Sequence, residues 1–136
     1  MPYITLKVSV TPGAELVRTA GAAITELTAT VLRKRAELTA VAIEHVPKER
    51  WFAGGAPGDA GGPELFSLVV AVTEGTNTKD EKERFIAEAY RLLAKLLGGA
   101  SRLSYVIIEE VRADSWGYAG ETQEYRYITG KQQSRG

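Results

Sequence analysis

Pro2 is the residue whose position most favours chemistry, because it follows the initiator methionine at the head of an alternating apolar stretch. Removal of Met1 leaves a secondary amine there. An α-amino group titrates near pH ~8 in water, and desolvation by apolar neighbours lowers its pKa. An amine of this kind could act as a base near neutral pH and take a proton from the carbon next to a carbonyl. From position alone, the alternative is that Pro2 only begins a strand, where proline is tolerated.

Other kinds of chemistry find little support in the composition. Cysteine is absent and His45 is the single histidine, so a thiolate nucleophile and a disulfide are excluded and no metal site is expected. The glycine-rich stretch 54–62 lacks the Lys-Ser/Thr of a phosphate loop. Seventeen basic and seventeen acidic residues cancel, which argues against a nucleic-acid partner. We expect a cytoplasmic protein with no cofactor and no membrane segment.

Two similar successions of elements are predicted to position these residues. Strict alternation of apolar and polar residues favours a strand over 3–10. After the first strand, helix and second strand comes the glycine-rich connector, and it is followed by a nearly continuous apolar strand. A capping box of Thr78 and Glu81 opens the second helix, which runs to Gly98. The predicted elements are strands at 3–10, 39–46, 64–73 and 103–111, and helices at 14–34 and 79–97.

The two halves of the chain align at an offset of 65 residues, which places Trp51 on Trp116 and Pro2 on Ser67. This pattern indicates a duplicated β-α-β unit. We expect one α/β (α+β) domain over 1–136, with repeats at 2–55 and 64–120, a connector at 53–63 and a tail at 121–136. Parallel strands joined by right-handed helical crossovers predict a four-stranded sheet with two helices on one face.

The second face of this sheet is expected to meet other subunits, because we expect apolar residues on this face as well as on the face that the helices cover. The residues that suggest this are Leu6, Val8, Val70 and Val72. The connector is expected to form neither a ladder nor a helix. The tail could add an edge strand, and its last residues, 130–136, are expected to be disordered.

Several short motifs, in this order, resemble the 4-oxalocrotonate tautomerase family. They are Met-Pro-Tyr-Ile at the start, Val-Pro-Lys-Glu-Arg-Trp-Phe-Ala-Gly-Gly at 46–55, Glu74-Gly75 before the second helix, and Trp116-Gly117 after the last strand. Their repetition over residues 2 to 120 is similar to the double-length branch, which includes fused tautomerases, malonate semialdehyde decarboxylase and cis-3-chloroacrylic acid dehalogenase. The resemblance implies a tautomerase/MIF-like fold, a homotrimer, and Pro2 as the catalytic base or acid once Met1 is removed.

The chain departs from that family where relatives hold the substrate carboxylate. The loop after Glu74-Gly75 has Thr76 and Asn77 in place of an arginine, and a second family arginine falls at Ala40 and Tyr105. Tyr105 resembles a tyrosine with which the dehalogenase branch assists water or substrate. We expect Arg126 or Arg50 to replace the missing arginines, because a guanidinium fork suits a carboxylate. The aromatic walls of the pocket are expected to be Trp51 and Trp116.

These observations favour a cofactor-independent enol–keto tautomerase acting on a small 2-hydroxy-dienoate or phenylpyruvate-like enol acid. Pro2 is then the base, with Tyr105 as a second catalytic residue. A related alternative is a hydratase, dehalogenase or decarboxylase of a three-carbon acid that uses protonated Pro2. A non-enzymatic alternative is a trimeric binding protein on the same scaffold.

Overall fold

The computed structural model describes residues 2–59 and 61–135. The first β-α-β succession and the connector contain β1 Tyr3–Val8, α1 Ala14–Val31, β2 Ala40–His45, β3 Phe52–Ala53 and β4 Ala56–Pro57. The second succession and the tail contain β5 Phe66–Thr73, α2 Lys79–Leu96, β6 Tyr105–Val111, β7 Gly117–Tyr118, β8 Glu121–Thr122 and α3 Gln123–Arg135. Short 3-10 turns lie at Ala36–Leu38 and Lys48–Arg50.

A four-stranded sheet in the order β2-β1-β5-β6 forms the centre of the fold. The pairs β1–β2 and β5–β6 are parallel, while β1 and β5 are antiparallel and meet with Leu6 opposite Leu68. Both helices pack on the same face and contact each other. The predicted fold class, duplicated β-α-β units with two helices on one face of a four-stranded sheet, is confirmed.

The hydrophobic core lies between that face and the two helices. The buried residues of α1 recur at steps of three and four, and every second residue of β1 and β5 points to the core. The largest core side chains are Phe66 and Phe85, which have no exposed surface. The capping box of Thr78 and Glu81 at the start of α2 is also confirmed.

One sequence inference about the faces was wrong. The four apolar residues predicted for the second face belong instead to the core on the helix side: Leu6, Val8, Val70 and Val72. Both α1 and α2 lie on the side of the sheet opposite the second face, which has other apolar residues. Tyr3 is 52%, Tyr105 61% and Ile107 44% exposed there. The expectation of an apolar face that meets another subunit therefore remains, on different residues.

The strand registers correct the alignment of the two repeats. Tyr3 pairs with Ala40, 37 positions further on, whereas Ser67 pairs with Tyr105, 38 positions further on. The two helices are offset by 65 residues, and so are the last strands of the two repeats. The second repeat therefore has one extra residue between its first strand and its helix. The counterpart of Pro2 is consequently Phe66, not Ser67. Phe66 is an internal, fully buried residue, so the two repeats remain chemically different.

The connector and the tail are more ordered than the sequence predicts. Phe52 and Ala53 pair with Pro57 and Ala56, so the connector does hold a two-residue ladder; the turn is closed by Gly54 and Gly55. Their positive φ angles explain why this glycine-rich segment can turn so tightly.

The predicted edge strand of the tail is also wrong, because the tail forms the hairpin β7–β8 and the helix α3, which continues to Arg135. The expected disorder of 130–136 is therefore contradicted through Arg135, and Gly136 lies outside the described residues. Among the described residues no helix combines the length and apolar character needed to cross a membrane.

Candidate active site

A cleft of about 970 Å³ lies at the end of the sheet where β1 begins and β5 ends. Its walls come from the segment after α1, the loop between β5 and α2, and the tail from β7 into α3. The lining residues that matter for the chemistry are Lys34, Leu38, Thr73, Thr76, Tyr125 and Arg126. The cleft is therefore built by both repeats and the tail together.

Pro2 is not among the residues that line this cleft, but it lies directly beside two segments that do. Its side chain is fully buried, and its carbonyl oxygen accepts a hydrogen bond from the N–H of Ala40 at 3.3 Å. Continuing the registers by one residue places Pro2 beside Thr39 and Val72. The next residues along those two segments, Leu38 and Thr73, line the cleft. Met1, whose removal would free the amine, lies outside the described residues.

Lys34 supplies a positive charge to the cleft wall. Its Nζ donates to Thr76 Oγ1 at 2.8 Å, and Thr76 Oγ1 donates in turn to the carbonyl of Thr73 at 2.6 Å. Burial lowers the pKa of Lys34, the neighbouring charge of Arg33 lowers it further, and Glu81 raises it. None of the ion pairs among the described residues involves Lys34, so its charge is available to an anion.

Arg126 also lines the cleft, but its guanidinium already has partners within the tail. It donates to the carbonyl of Tyr118 at 3.0 Å, pairs with Glu121 at 3.1 Å, and lies 3.7 Å above the ring of Tyr118. Its Nε is buried and has no hydrogen-bond partner among the described residues. Arg126 thus fastens the hairpin to α3, and Glu121 compensates part of the charge that a substrate would use.

Two other expected site residues contact the cleft from behind. The Asn77 Nδ2 donates to the carbonyl of Leu32 at 2.9 Å and to Glu81 at 3.2 Å, and Asn77 is not among the lining residues. The indole N–H of Trp116 donates to Thr73 Oγ1 at 3.1 Å. Trp116 thus supports the cleft-lining residue Thr73, whereas Asn77 ties the loop before α2 to the end of α1.

The remaining predicted residues lie at the opposite end of the sheet. Arg50, Trp51 and Tyr105 line a separate cleft of about 680 Å³. Tyr105 pairs with Ser67, six residues before Thr73 on β5, and a strand rises ~3.3 Å per residue, or about 20 Å over that length. A single chain therefore brings Pro2, Thr76 and Arg126 to one end and keeps Tyr105 away from them. The catalytic role of Tyr105 stays a prediction.

Lys34 is the site residue that sequence reasoning missed. It stands in a basic run, Arg33-Lys34-Arg35, directly after the first helix, and such runs normally face solvent. The available signal was that this run precedes a strand that begins beside Pro2. No three His, Asp or Glu side chains among the described residues come together as a metal site.

Comparison with known proteins agrees with this architecture. A family model described as "Tautomerase enzyme" matches residues 68–126, from β5 to the start of α3. The probable tautomerase K2 of Dickeya dadantii (strain 3937) is 36% identical over 53 residues, which are 39% of this chain and 79% of that relative. The chain belongs to the tautomerase family. Membership of this family supports a tautomerase-type enzymatic function.

Several solved structures have the same fold as this tautomerase-family chain. A fused 4-OT solved as an asymmetric trimer has a TM-score of 0.80 at 17% identity, covering 91% of this chain and 98% of that one. A malonate semialdehyde decarboxylase inhibited by 3-bromopropiolate gives 0.73 at 21%, covering 95% and 96%. The macrophage migration inhibitory factor-like protein of Entamoeba histolytica gives 0.73 at 16%, covering 89% and 97%. The predicted tautomerase/MIF-like fold is confirmed by these structures, and the predicted tautomerase family by the sequence relatives.

Proposed function

We propose that this chain is a cofactor-independent enol–keto tautomerase whose mature form begins at Pro2. The observation that carries the proposal is the burial of Pro2 next to a cleft whose wall holds Lys34, a lysine with no ion pair among the described residues. Burial disfavours the charged form of an amine, so the pyrrolidine nitrogen is expected to be neutral near pH ~7. Strand β1 and the proline ring hold that nitrogen in one orientation, as a positioned base requires.

The proposed reaction moves one proton. Neutral Pro2 removes the enol O–H proton of a 2-hydroxy-dienoate or phenylpyruvate-like acid, which leaves an enolate and a protonated pyrrolidine. The enolate then forms its C=O bond, the C=C electrons take the same proton from Pro2 at carbon, and the amine is neutral again. Donors near the enolate oxygen stabilise its charge. Thr76 accepts a hydrogen bond from Lys34 and gives its single hydroxyl proton to the Thr73 carbonyl, so it holds Lys34 in place for the substrate carboxylate and is not itself a donor to the enolate.

The substrate class follows from the charges and the walls of the cleft. Lys34 forms no ion pair with a carboxylate of the described residues, whereas Arg126 is paired with Glu121. One free cation suits one carboxylate. Tyr125 and Tyr127 from α3 give the opposite wall an aromatic surface. A monocarboxylate with an apolar or aromatic body, such as phenylenolpyruvate, is therefore expected to bind better than a dianion.

We further propose that three chains assemble through the uncovered sheet face. Tyr3, Tyr105 and Ile107 leave an exposed apolar band there, and burial of such a band against a second copy is favourable. The fused 4-OT of similar fold is a trimer. Such an assembly also offers a way for Tyr105, Arg50 and Trp51 of a neighbouring chain to approach the Pro2 cleft.

Substitution of Pro2 tests the proposal. Pro2→Ala is expected to lower kcat/KM for phenylenolpyruvate or 2-hydroxymuconate by about 10²-fold or more, as is usual when a positioned base is lost. Pro63→Ala, an exposed proline of the connector, is the matched control and should behave like wild type. Intact mass must first show that Met1 has been removed. Wild-type protein with a free Pro2 amine and no turnover above buffer on these enols sinks the tautomerase proposal.

The alternatives give different results in the same assays. A hydratase or decarboxylase of three-carbon acids uses protonated Pro2, so its rate falls as pH rises through the Pro2 pKa, opposite to the tautomerase. A trimeric binding protein gives no turnover and needs no lowered pKa at Pro2. The similarity to malonate semialdehyde decarboxylase makes malonate semialdehyde the substrate to include in the panel.

A further inference from the structure

We propose that Arg33, Asn77 and Glu81 are positioning residues that hold Lys34 at the cleft wall, and that the Arg33–Glu81 ion pair tunes how strongly Lys34 binds a carboxylate. This inference rests on the proposed function, because it takes the cleft of Pro2 as the substrate site. It assigns a role in substrate binding to three residues that do not line the cleft themselves.

The backbone at the end of α1 gives the first reason. Arg33 adopts a left-handed conformation, with φ of 57°. Its counterpart at the end of α2, 65 residues on, is Gly98, with φ of 73°. A side chain at such a position strains the backbone, which is why helices usually place glycine there. The first repeat keeps an arginine instead, and its guanidinium has a specific partner.

That partner joins the two repeats. Arg33 Nε lies 2.6 Å from Glu81 Oε2, and Asn77 Nδ2 donates to both Glu81 and the carbonyl of Leu32. The end of α1 is thereby tied to the start of α2 and to the loop before it. Lys34 follows Arg33 directly, and its hydrogen-bond acceptor, Thr76, precedes Asn77 directly. The network therefore fixes both halves of the Lys34–Thr76 contact.

The same ion pair places two opposite charges near Lys34. Arg33 lowers the pKa of Lys34 and Glu81 raises it, in addition to the lowering by burial. Three tyrosines and five other charged residues also line the cleft, the latter being Arg35, Glu74, Glu121, Glu124 and Arg126. The tests below change none of them. Removal of one member of the pair must therefore shift the Lys34 pKa in a direction set by that member's charge.

An NMR titration of the Lys34 ammonium group, assigned with Lys34→Arg, tests the inference without any turnover. We expect Glu81→Gln to lower the pKa of Lys34 and Arg33→Gln to raise it. The double variant lacks both charges, so its Lys34 pKa should lie between the values of the two single variants. Arg33→Lys keeps the charge and is the control. Arg33→Gly removes the charge while supplying the residue that α2 has at this position, so it remains informative if Arg33→Gln folds poorly.

Kinetics supply the second readout. Because Lys34 is expected to bind the carboxylate before and during the reaction, Glu81→Gln should raise KM for phenylenolpyruvate at alkaline pH while leaving kcat within about twofold of wild type. A purely structural role of the ion pair predicts that both single variants change KM and the Lys34 pKa in the same direction, and that the double variant is no better than either.

The two proposals can fail separately. Shifts of the Lys34 pKa in the same direction, or no shift in either single variant, overturn the tuning of Lys34 by the ion pair even if Pro2-dependent turnover is intact. If the two single variants shift the Lys34 pKa in opposite directions but the wild-type protein has no turnover, the tuning of Lys34 is supported and the tautomerase function is overturned.

Discussion

Replacement of Lys34 is expected to weaken substrate binding more than any other change in the cleft wall. Lys34 Nζ has one neutral partner, Thr76 Oγ1 at 2.8 Å, and no carboxylate partner among the described residues. A hydrogen bond to a charged group contributes about 1.5–3 kcal/mol, which corresponds to a KM increase of about 10- to 150-fold for Lys34→Ala at 25 °C. Since the carboxylate is held equally in the ground and transition states, kcat should change little.

Initial rates of ketonisation of phenylenolpyruvate, measured as a function of pH, provide the assay. Burial lowers the pKa of Lys34, so wild-type KM should rise at alkaline pH as the ammonium loses its proton. Lys34→Arg should retain binding and lose this alkaline rise, because a guanidinium stays charged. Lys95→Ala, which removes the same charge from an exposed position on α2, is the control for general electrostatics.

Two results would refute this reasoning about Lys34. One is a KM for Lys34→Ala within about twofold of wild type. The other is an equal loss for an uncharged enol ester and for the acid, since only the acid has a carboxylate for Lys34 to bind. Either result would move the carboxylate contact to Arg126, or to Arg50 of another chain.

Three further predictions concern assembly and stability. Ile107→Lys should convert the trimer to smaller species, measured by light scattering at micromolar concentration, because a charge enters the exposed apolar band; a wild-type monomer, or a trimeric variant, contradicts the proposed interface. Hydrogen bonds from Arg33 and from the Thr78 N–H lower the pKa of Glu81 to about 2. Its ionised form therefore stabilises the fold above the unfolded pKa of ~4.3, and this contribution is lost as pH falls towards 2. The Tm of wild type should exceed that of Glu81→Gln at pH ~6, and the difference should disappear by pH ~2; a difference independent of pH contradicts the assignment. Gly75→Ala should cost about 1–2 kcal/mol in urea unfolding because φ is +78°, whereas Gly13→Ala, at φ −76°, should cost less; equal costs would mean that the backbone angle does not matter.

The elements of the fold could be predicted because their patterns are local. The steps of three and four in α1, the capping box of Thr78 and Glu81, and the alternation in β1 each depend on neighbouring residues. The faces of β5 could not be predicted in this way. Its centre is apolar on both sides, so alternation cannot tell Val70, which faces the helices, from Val69, which faces the other side.

The errors about the repeats and the site share a different cause, which is contact between distant segments. The offset changes by one residue inside the loop that contains Gly75, where loop length is not constrained by any periodic pattern. Lys34 becomes part of the cleft only because Asn77 binds the carbonyl of Leu32 and brings Thr76 within reach of its ammonium group. No spacing within residues 32–34 contains that information.

The state of the Pro2 amine tests the central claim most directly. Protein labelled with ¹⁵N-proline, shown by intact mass to begin at Pro2, can be titrated by NMR while the amine resonance is followed. We predict a single titration with a pKa below the ordinary α-amino value of ~8, and loss of that resonance in Pro2→Ala. An amide resonance in protein isolated from its native cell, or a free amine with a pKa at or above ~8, would contradict the assignment of Pro2 as the catalytic base.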